Sequence, residues 1–241
     1  MPDRYFVETP IDSDRARLVG AEAHHLAHVM RAKPGSEVAL FDGSGQEFLA
    51  RVERVGRSEI ELAVLSRAAI DRESPLDVTL GVALPKAERR RWLVEKAVEL
   101  GVARLVPLQT ERAGDCGGAL VRLRQAVIEA SKQCGRNRLM EIGSPTSLED
   151  FLSTAPRDNV RLFAHTEAHA VAPPLAQVLA VCSAPRPVTL AVGPEGGFTA
   201  AEFERALAHG WQAVSLGPRV LRIETAAVAL VAALVLQCEH E

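Results

Sequence analysis

The spacing of apolar residues changes period once along this chain, near Arg72-Glu73-Ser74-Pro75, and that change limits what the chain can fold into. Upstream, Phe48, Ala50 and Val52 alternate with Leu49, Arg51 and Glu53. Ile60, Leu62 and Val64 alternate in the same way with Glu59, Glu61 and Ala63. A two-residue period is that of half-buried strands, and Asp42-Gly43-Ser44-Gly45 supplies the positive φ angles of a hairpin turn between strand-like runs. With one short helix over 22–31, broken by Lys33-Pro34-Gly35, residues 1–72 read as a small antiparallel β-barrel.

Downstream, strands alternate with helices. A strand over 78–84 leads to Pro85, read as the first-turn residue of a helix that stops at Gly101. Further strands are expected over 102–108, 139–142, 160–164, 188–192 and 214–216, with a helix over 120–133. Thr199 and Glu202 form a capping box for a helix ending near Gly210, and Glu224 opens the last helix. Residues 73–241 therefore read as an α/β domain with a mostly parallel sheet.

Composition excludes several classes. The 241 residues are 47% hydrophobic and 24% charged, the balance of a folded domain rather than a disordered chain. The longest apolar run, 226–236, has 11 residues, too few to span a bilayer as a helix. The first residues show no secretory h-region, and the four cysteines (Cys116, Cys134, Cys182 and Cys238) form no CxxC pair. No membrane partner, no metal and a cytoplasmic location are the expectations. Net charge is −3, yet residues 86–138 carry 12 Lys/Arg against 6 Asp/Glu, which suits a local phosphate-binding face or a solvated helical surface. With ten aromatic residues, a platform of stacked rings for bases is poorly supported.

Two segments combine glycine with charge at strand-to-helix junctions. Gly193-Pro194-Glu195-Gly196-Gly197-Phe198-Thr199 sits at the carboxyl edge of a parallel sheet, where ligands bind and where glycine lets backbone approach them. Its spacing is not GxGxxG, so a dinucleotide site is disfavoured; an ordinary tight turn is the alternative. Ser215-Leu216-Gly217-Pro218-Arg219-Val220-Leu221-Arg222-Ile223-Glu224-Thr225-Ala226 repeats the arrangement, with a helix cap and a surface arginine as the alternative.

These two segments, together with 84–112, Glu129-Ala130-Ser131-Lys132-Gln133-Cys134-Gly135-Arg136-Asn137-Arg138 and 25–31, resemble the knotted SPOUT methyltransferases. Within them the chain is most similar to the bacterial small-subunit (16S) ribosomal RNA uridine-N3 methyltransferases. The resemblance spans essentially the whole chain. It implies a PUA-like N-terminal barrel, a trefoil-knotted C-terminal domain, S-adenosyl-L-methionine as cofactor, a homodimer, and small-subunit ribosomal RNA or the 30S subunit as partner. Met140 stands where the family usually has proline, and Ile223 where it usually has threonine.

The resemblance assigns cofactor contacts to His165, Gly193, Pro194, Glu195, Gly196, Gly197, Leu216, Gly217, Leu221, Arg222, Thr225 and Ala226. N3 of uracil carries a weakly acidic proton, so a carboxylate to accept it and an arginine beside the carbonyl oxygens are needed. Glu195 is the expected acceptor or sulfonium partner, and Arg136 or Arg222 the stabiliser. N3 lies on the Watson–Crick edge, so the target base must be unpaired or extruded, with phosphate contacts from Arg31, Lys86, Arg89, Arg90, Lys132, Arg136 and Arg138. Arg89-Arg90-Arg91 points three ways on a helix, so no more than two of them share a face. His24 and His28, one turn apart, lack a third ligand, and Cys134 is read as structural. The competing readings are a catalytically inactive RNA-binding or ribosome-assembly factor and a SPOUT enzyme for another RNA.

Overall fold

The computed structural model describes residues 3–113, 120–165 and 187–239, so Cys116 and Cys182 lie outside the described residues. The chain divides into two compact units: Met1–Glu73 with Ile128–Leu139, and Ser74–Val127 with Met140–Glu241. A linear boundary at residue 72 leaves 128–139 in the second part; the structure groups that segment with the first.

In the first unit, β1 (Arg4–Phe6), β2 (Arg15–Val19), β3 (Glu37–Phe41), β4 (Gln46–Val55) and β5 (Glu59–Ala69) form a sheet of order β1-β3-β4-β5-β2. The β1–β3 pair is parallel and the others antiparallel. Register shifts at Leu49/Ala50 and Val52/Arg54 bend β4, as bulges do. Tyr5 from one edge strand and Leu18 from the other enter a single buried cluster with Leu40, Phe48, Val52 and Ile60. The sheet thus wraps one core in barrel fashion, the two edge strands meeting through side chains.

The expected helix over 22–31 is instead one α-turn, α1 (Gly20–His24), running into a π-turn at His25–Val29, with Arg31 at φ 54°. This wider turn keeps both Ala23 and Leu26 in the core. Tyr5 is fully buried, and burial with the negative charges of Asp3 and Glu22 pushes its phenol up to about 12.

The outer face of β1 and β3 is also apolar. Phe6 and Phe41 are covered there by Ile128 and Leu139, which is why 128–139 belongs with this unit. Polar bonds reinforce the cover. Arg4 pairs with Glu47 and donates to Arg136 O (3.2 Å) and Asn137 Oδ1 (2.7 Å), while Arg72 donates to Gly135 O (2.9 Å).

In the second unit, β6 (Val78–Val82), β7 (Arg104–Gln109), β8 (Glu141–Ile142), β9 (Thr146–Ser147), β10 (Val160–Ala164), β11 (Val188–Val192) and β12 (Gln212–Val214) make a sheet of order β12-β10-β11-β6-β7-β8, with β9 also on β7. Every pairing among the described residues is parallel. Its helices are α2 (Ala87–Glu99), the first part of α3 (Leu120–Cys134), α4 (Leu148–Thr154), α5 (Ala200–Ala208) and α6 (Ile223–Glu239). All five residues of β11 are buried, as a continuous Val-Thr-Leu-Ala-Val run requires.

Four local expectations shift. Pro85 precedes α2 instead of opening it, because Lys86 is the extended N-cap and Pro85 O accepts from Arg90 Nε at 3.1 Å. The first strand stops at Val82, ahead of residue 84. The strand over 139–142 shortens to Glu141–Ile142, with Met140 buried before it. The strand at 214–216 lies two residues earlier, at β12, which frees Leu216 and Gly217 for the loop beyond.

Phe151 of α4 lies flat on Gly81 of β6: a Cβ at Gly81 would stand 2.4 Å from Phe151 Cζ. Gly81→Ala gains a little by restricting the unfolded chain but overpacks a ring that is itself buried. A net destabilisation of about 1–3 kcal/mol is expected from chemical denaturation. Adding Phe151→Leu is expected to recover part of the loss; no recovery would show that the ring is not the obstacle.

Candidate functional site

β10, β11 and β12 end side by side, and a cleft opens at their carboxyl ends. Ala164 ending β10 and His165 after it, Val192 ending β11 and Gly193 after it, and Val214 ending β12 with Leu216 beyond all line it. The two glycine-bearing loops supply the walls.

In the first loop, Gly193 is needed for space. A Cβ there would stand 2.9 Å from the Phe198 ring, and Phe198 cannot swing away because it is buried and stacked on Phe163 at 4.0 Å between centroids. Gly197 N–H donates to Pro194 O (2.8 Å), closing a turn that exposes Glu195 and Gly196. Thr199 then caps α5: its hydroxyl accepts from Glu202 N–H, and the Glu202 carboxylate accepts from Thr199 N–H at 2.8 Å. In the second loop, Gly217 takes φ +106°, a backbone open to glycine, and its N–H donates to Ser215 Oγ at 3.3 Å. Arg222 O accepts from Ala226 N–H (2.9 Å) and so starts α6.

Of the residues expected to hold a cofactor, His165, Gly193, Pro194, Gly197, Leu216, Gly217, Leu221 and Ala226 line the cleft. Glu195, Gly196, Arg222 and Thr225 belong to the same loops and helix start but are exposed and off its lining. Sequence reasoning missed Phe198, Arg219 and Ile223, which do line it. Ile223 stands in the sequence only as a departure from the usual threonine, and Arg219 lies inside the second loop with no signal of its own. Arg219 is the one cationic side chain of the described lining, and His165 stacks on Phe203 at 4.6 Å.

Arg136 is placed otherwise. It belongs to the first unit, its side chain is 4% exposed, and its Nε and Nη2 donate to the Glu73 carboxylate (Nη2 to Oε2, 2.5 Å). Lys132 is likewise engaged, with Glu22 at 2.9 Å and the Tyr5 ring centroid at 5.5 Å. Each is a cation held against a carboxylate in a largely buried place. Arg31 and Arg138 are exposed in the first unit; Lys86 and Arg89 are exposed in the second. Arg89 stands 3.7 Å from the buried Glu224 carboxylate, and Arg90 turns back onto Pro85. Among the described residues, no group of three or more His, Cys, Asp and Glu could hold a metal ion, and no helix is long and apolar enough to cross a membrane.

Gly193→Ala is expected to weaken binding of the methyl donor that the resemblance implies by about tenfold or more, because the held Phe198 ring forces the loop backbone to shift at the cleft. Titration calorimetry with S-adenosylmethionine measures this. Unchanged affinity in a folded variant would show that Phe198 does not shape the site.

The comparisons agree with this geometry. Residues 72–235 match the model of an RNA methyltransferase domain, and residues 18–65 that of an RNA methyltransferase PUA domain. The ribosomal RNA small subunit methyltransferase E of Synechocystis is 33% identical, covering 87% of this chain and 69% of that protein. Its namesake in Bacillus subtilis is 29% identical over 98% and 97%. A structure of the Neisseria gonorrhoeae protein of that name, bound to S-adenosylmethionine, superposes with a TM-score of 0.87 at 32% identity, covering 97% of this chain and 96% of that one. The cleft at the ends of β10, β11 and β12 is therefore part of an RNA methyltransferase domain, and the chain belongs to the RNA methyltransferase family of these relatives.

Proposed function

We propose that this chain transfers the methyl group of S-adenosylmethionine to N3 of a uridine in small-subunit ribosomal RNA. The carrying observation is the single cleft built by both glycine-bearing loops at the carboxyl ends of three adjacent parallel strands. The residues present suit the donor. Bare backbone at Gly193, Gly197 and Gly217 permits close approach, Phe198, Leu221 and Ile223 give apolar walls, and Arg219 offers a cation for a carboxylate. Once bound, the donor supplies an electrophilic methyl on a sulfonium.

The chain's own residues then have two tasks. One is alignment, since in-line transfer depends on holding two reactants together. The other is the N3 proton: Glu195, exposed on the first loop, is the acceptor in our reading, and Arg222, exposed at the start of α6, stabilises the uracil oxygens. Arg136, fixed on Glu73, is reassigned to bracing the first unit. RNA contacts fall to the exposed cations Arg31, Lys86 and Arg138, with Arg89, exposed but beside Glu224, as a further contact. In this reading residues 1–72 act as the RNA-binding PUA-like unit, with 128–139 added to it, and residues 73–241 as the knotted SPOUT domain. A ribosomal substrate also implies a cytoplasmic location.

The test is nucleoside mass spectrometry of small-subunit ribosomal RNA after incubation with protein and donor, as naked RNA and as 30S subunits. 3-Methyluridine is expected. Glu195→Gln and Arg222→Ala are expected to slow single turnover by about a hundredfold. Donor binding with no methylated nucleoside would favour the inactive assembly factor, and another methylated nucleoside a different target.

We further infer a homodimer. One face of α6 is buried through Ala227, Leu230, Val231, Leu234 and Val235. The opposite stripe of Ala229, Ala232, Ala233 and Leu236 is apolar yet partly open, with Leu236 52% exposed. A second copy of the chain would cover it. Sedimentation is expected to give a dimer, shifted toward monomer by Leu236→Asp; a wild-type monomer would exclude this interface.

A further inference from the structure

The loop from β11 to α5 is braced from the end of β7 as well as by the stack of Phe198 on Phe163. β7 lies two positions from β11 in the sheet, with β6 between them. The chain leaving β7 nevertheless reaches this loop at one point and α5 at two. Arg112 Nη1 donates to Gly196 O at 2.5 Å. Glu111 N–H donates to Glu202 Oε1 at 2.9 Å, while Oε2 of the same carboxylate holds Thr199 N–H at 2.8 Å. Glu111 Oε1 in turn faces Arg205 Nη2 of α5 at 3.2 Å. The short turn at Thr110, closed by Ala113 N–H on Thr110 O (3.2 Å), presents these groups.

Glu202 is 2% exposed, and both oxygens are spent on backbone N–H groups from different segments. A helix cap needs only the bond to Thr199; the second oxygen ties the cap to the end of β7. Arg112 acts on the other end of the same loop, gripping a carbonyl between Glu195 and Gly197. A carbonyl accepting from a guanidinium cannot turn toward the cleft, so the peptide after Gly196 is fixed in orientation. Neither bond is required for the sheet or the helix to form.

We propose that Arg112 and Glu202 are positioning residues that hold the 193–199 loop in its binding form before any ligand arrives. This rests on the reading of that loop as the methyl-donor site. Loss of either bond leaves the loop to be ordered by the ligand, which lowers affinity for the donor and leaves RNA affinity unchanged. Arg112→Lys keeps a cationic donor and restores part of the effect. Glu202→Gln keeps the shape but sets an amide N–H₂ against a backbone N–H. Glu111→Ala removes only the exposed pair with Arg205 and serves as the control.

The experiment has two arms on full-length protein with unchanged thermal unfolding. In ligand-free hydrogen exchange, the 194–203 peptide is expected to exchange about tenfold faster or more in Arg112→Ala and Glu202→Gln, the size of a lost charge-assisted hydrogen bond, and near wild type in Glu111→Ala. In calorimetry with S-adenosylmethionine, Kd is expected to rise about tenfold or more in the same two variants, with partial return in Arg112→Lys. Unchanged exchange in both variants overturns the proposal whatever the donor does. Faster exchange with unchanged Kd also overturns it, since the loop would then be ordered at no cost to binding. A wild type that binds no donor overturns the cofactor reading, while the exchange arm still decides the tether.

Discussion

Ala164, Val192 and Val214 share one register: Ala164 pairs with Val192 on one side and with Val214 on the other. Three parallel strands that stop level send three chain segments off the sheet at a single edge. His165 N–H makes one more cross-strand bond, to Val214 O at 3.1 Å, and the peptide groups of the loops beyond are left to turns, caps, side chains or a ligand. A slip of one residue in β10 or β12 would turn the side chains over and scatter the ends. The level edge is secured by apolar runs such as Val188–Val192, buried on both faces, so the placement of the cleft is a consequence of core packing.

The first unit follows a different economy. Arg4, Glu47, Arg72, Glu73, Arg136 and Asn137 form one connected set of charged and amide groups around the 135–137 backbone. Such a set is costly to desolvate, and its removal in favour of apolar residues is often neutral. Breaking it by deleting one member leaves an unpaired charge at about 3–5 kcal/mol. Its effect here is to fix a returning segment on the outer face of β1 and β3, where Phe6 and Phe41 need cover. Part of the positive charge in 86–138 is thereby spent inside the protein. A charge count along the chain therefore overstates what is offered to a polyanion.

How much of this was legible depends on whether the cause was local. The strand alternation in β4 and β5, the buried runs of β10 and β11, and the Thr199–Glu202 cap are near-neighbour effects, and their residues announce them. Both glycine-bearing loops were found because positive φ and close approach demand glycine. The π-turn after α1 was hidden, since i to i+5 bonding leaves no distinct composition. The membership of 128–139 in the first unit was hidden because it depends on contacts of Arg4 and Phe6 with residues about 130 positions away. At Lys132 and Arg136 the sequence shows a charge but not the partners, Glu22 and Glu73, that the fold brings to them.

Glu202 joins these two kinds of information. Its spacing from Thr199 gives the cap, a local motif visible in the chain, whereas its bond to Glu111 spans 91 positions and is visible only in the fold. The same carboxylate therefore does a helix's ordinary work and sets where that helix sits against the end of β7. Within the 193–199 loop Gly197 N–H donates to Pro194 O, and Arg112, Glu202 and the Phe198–Phe163 stack brace the loop from outside. The ordering entropy of a glycine-rich loop is then met during folding, and a ligand entering the cleft encounters walls already in place.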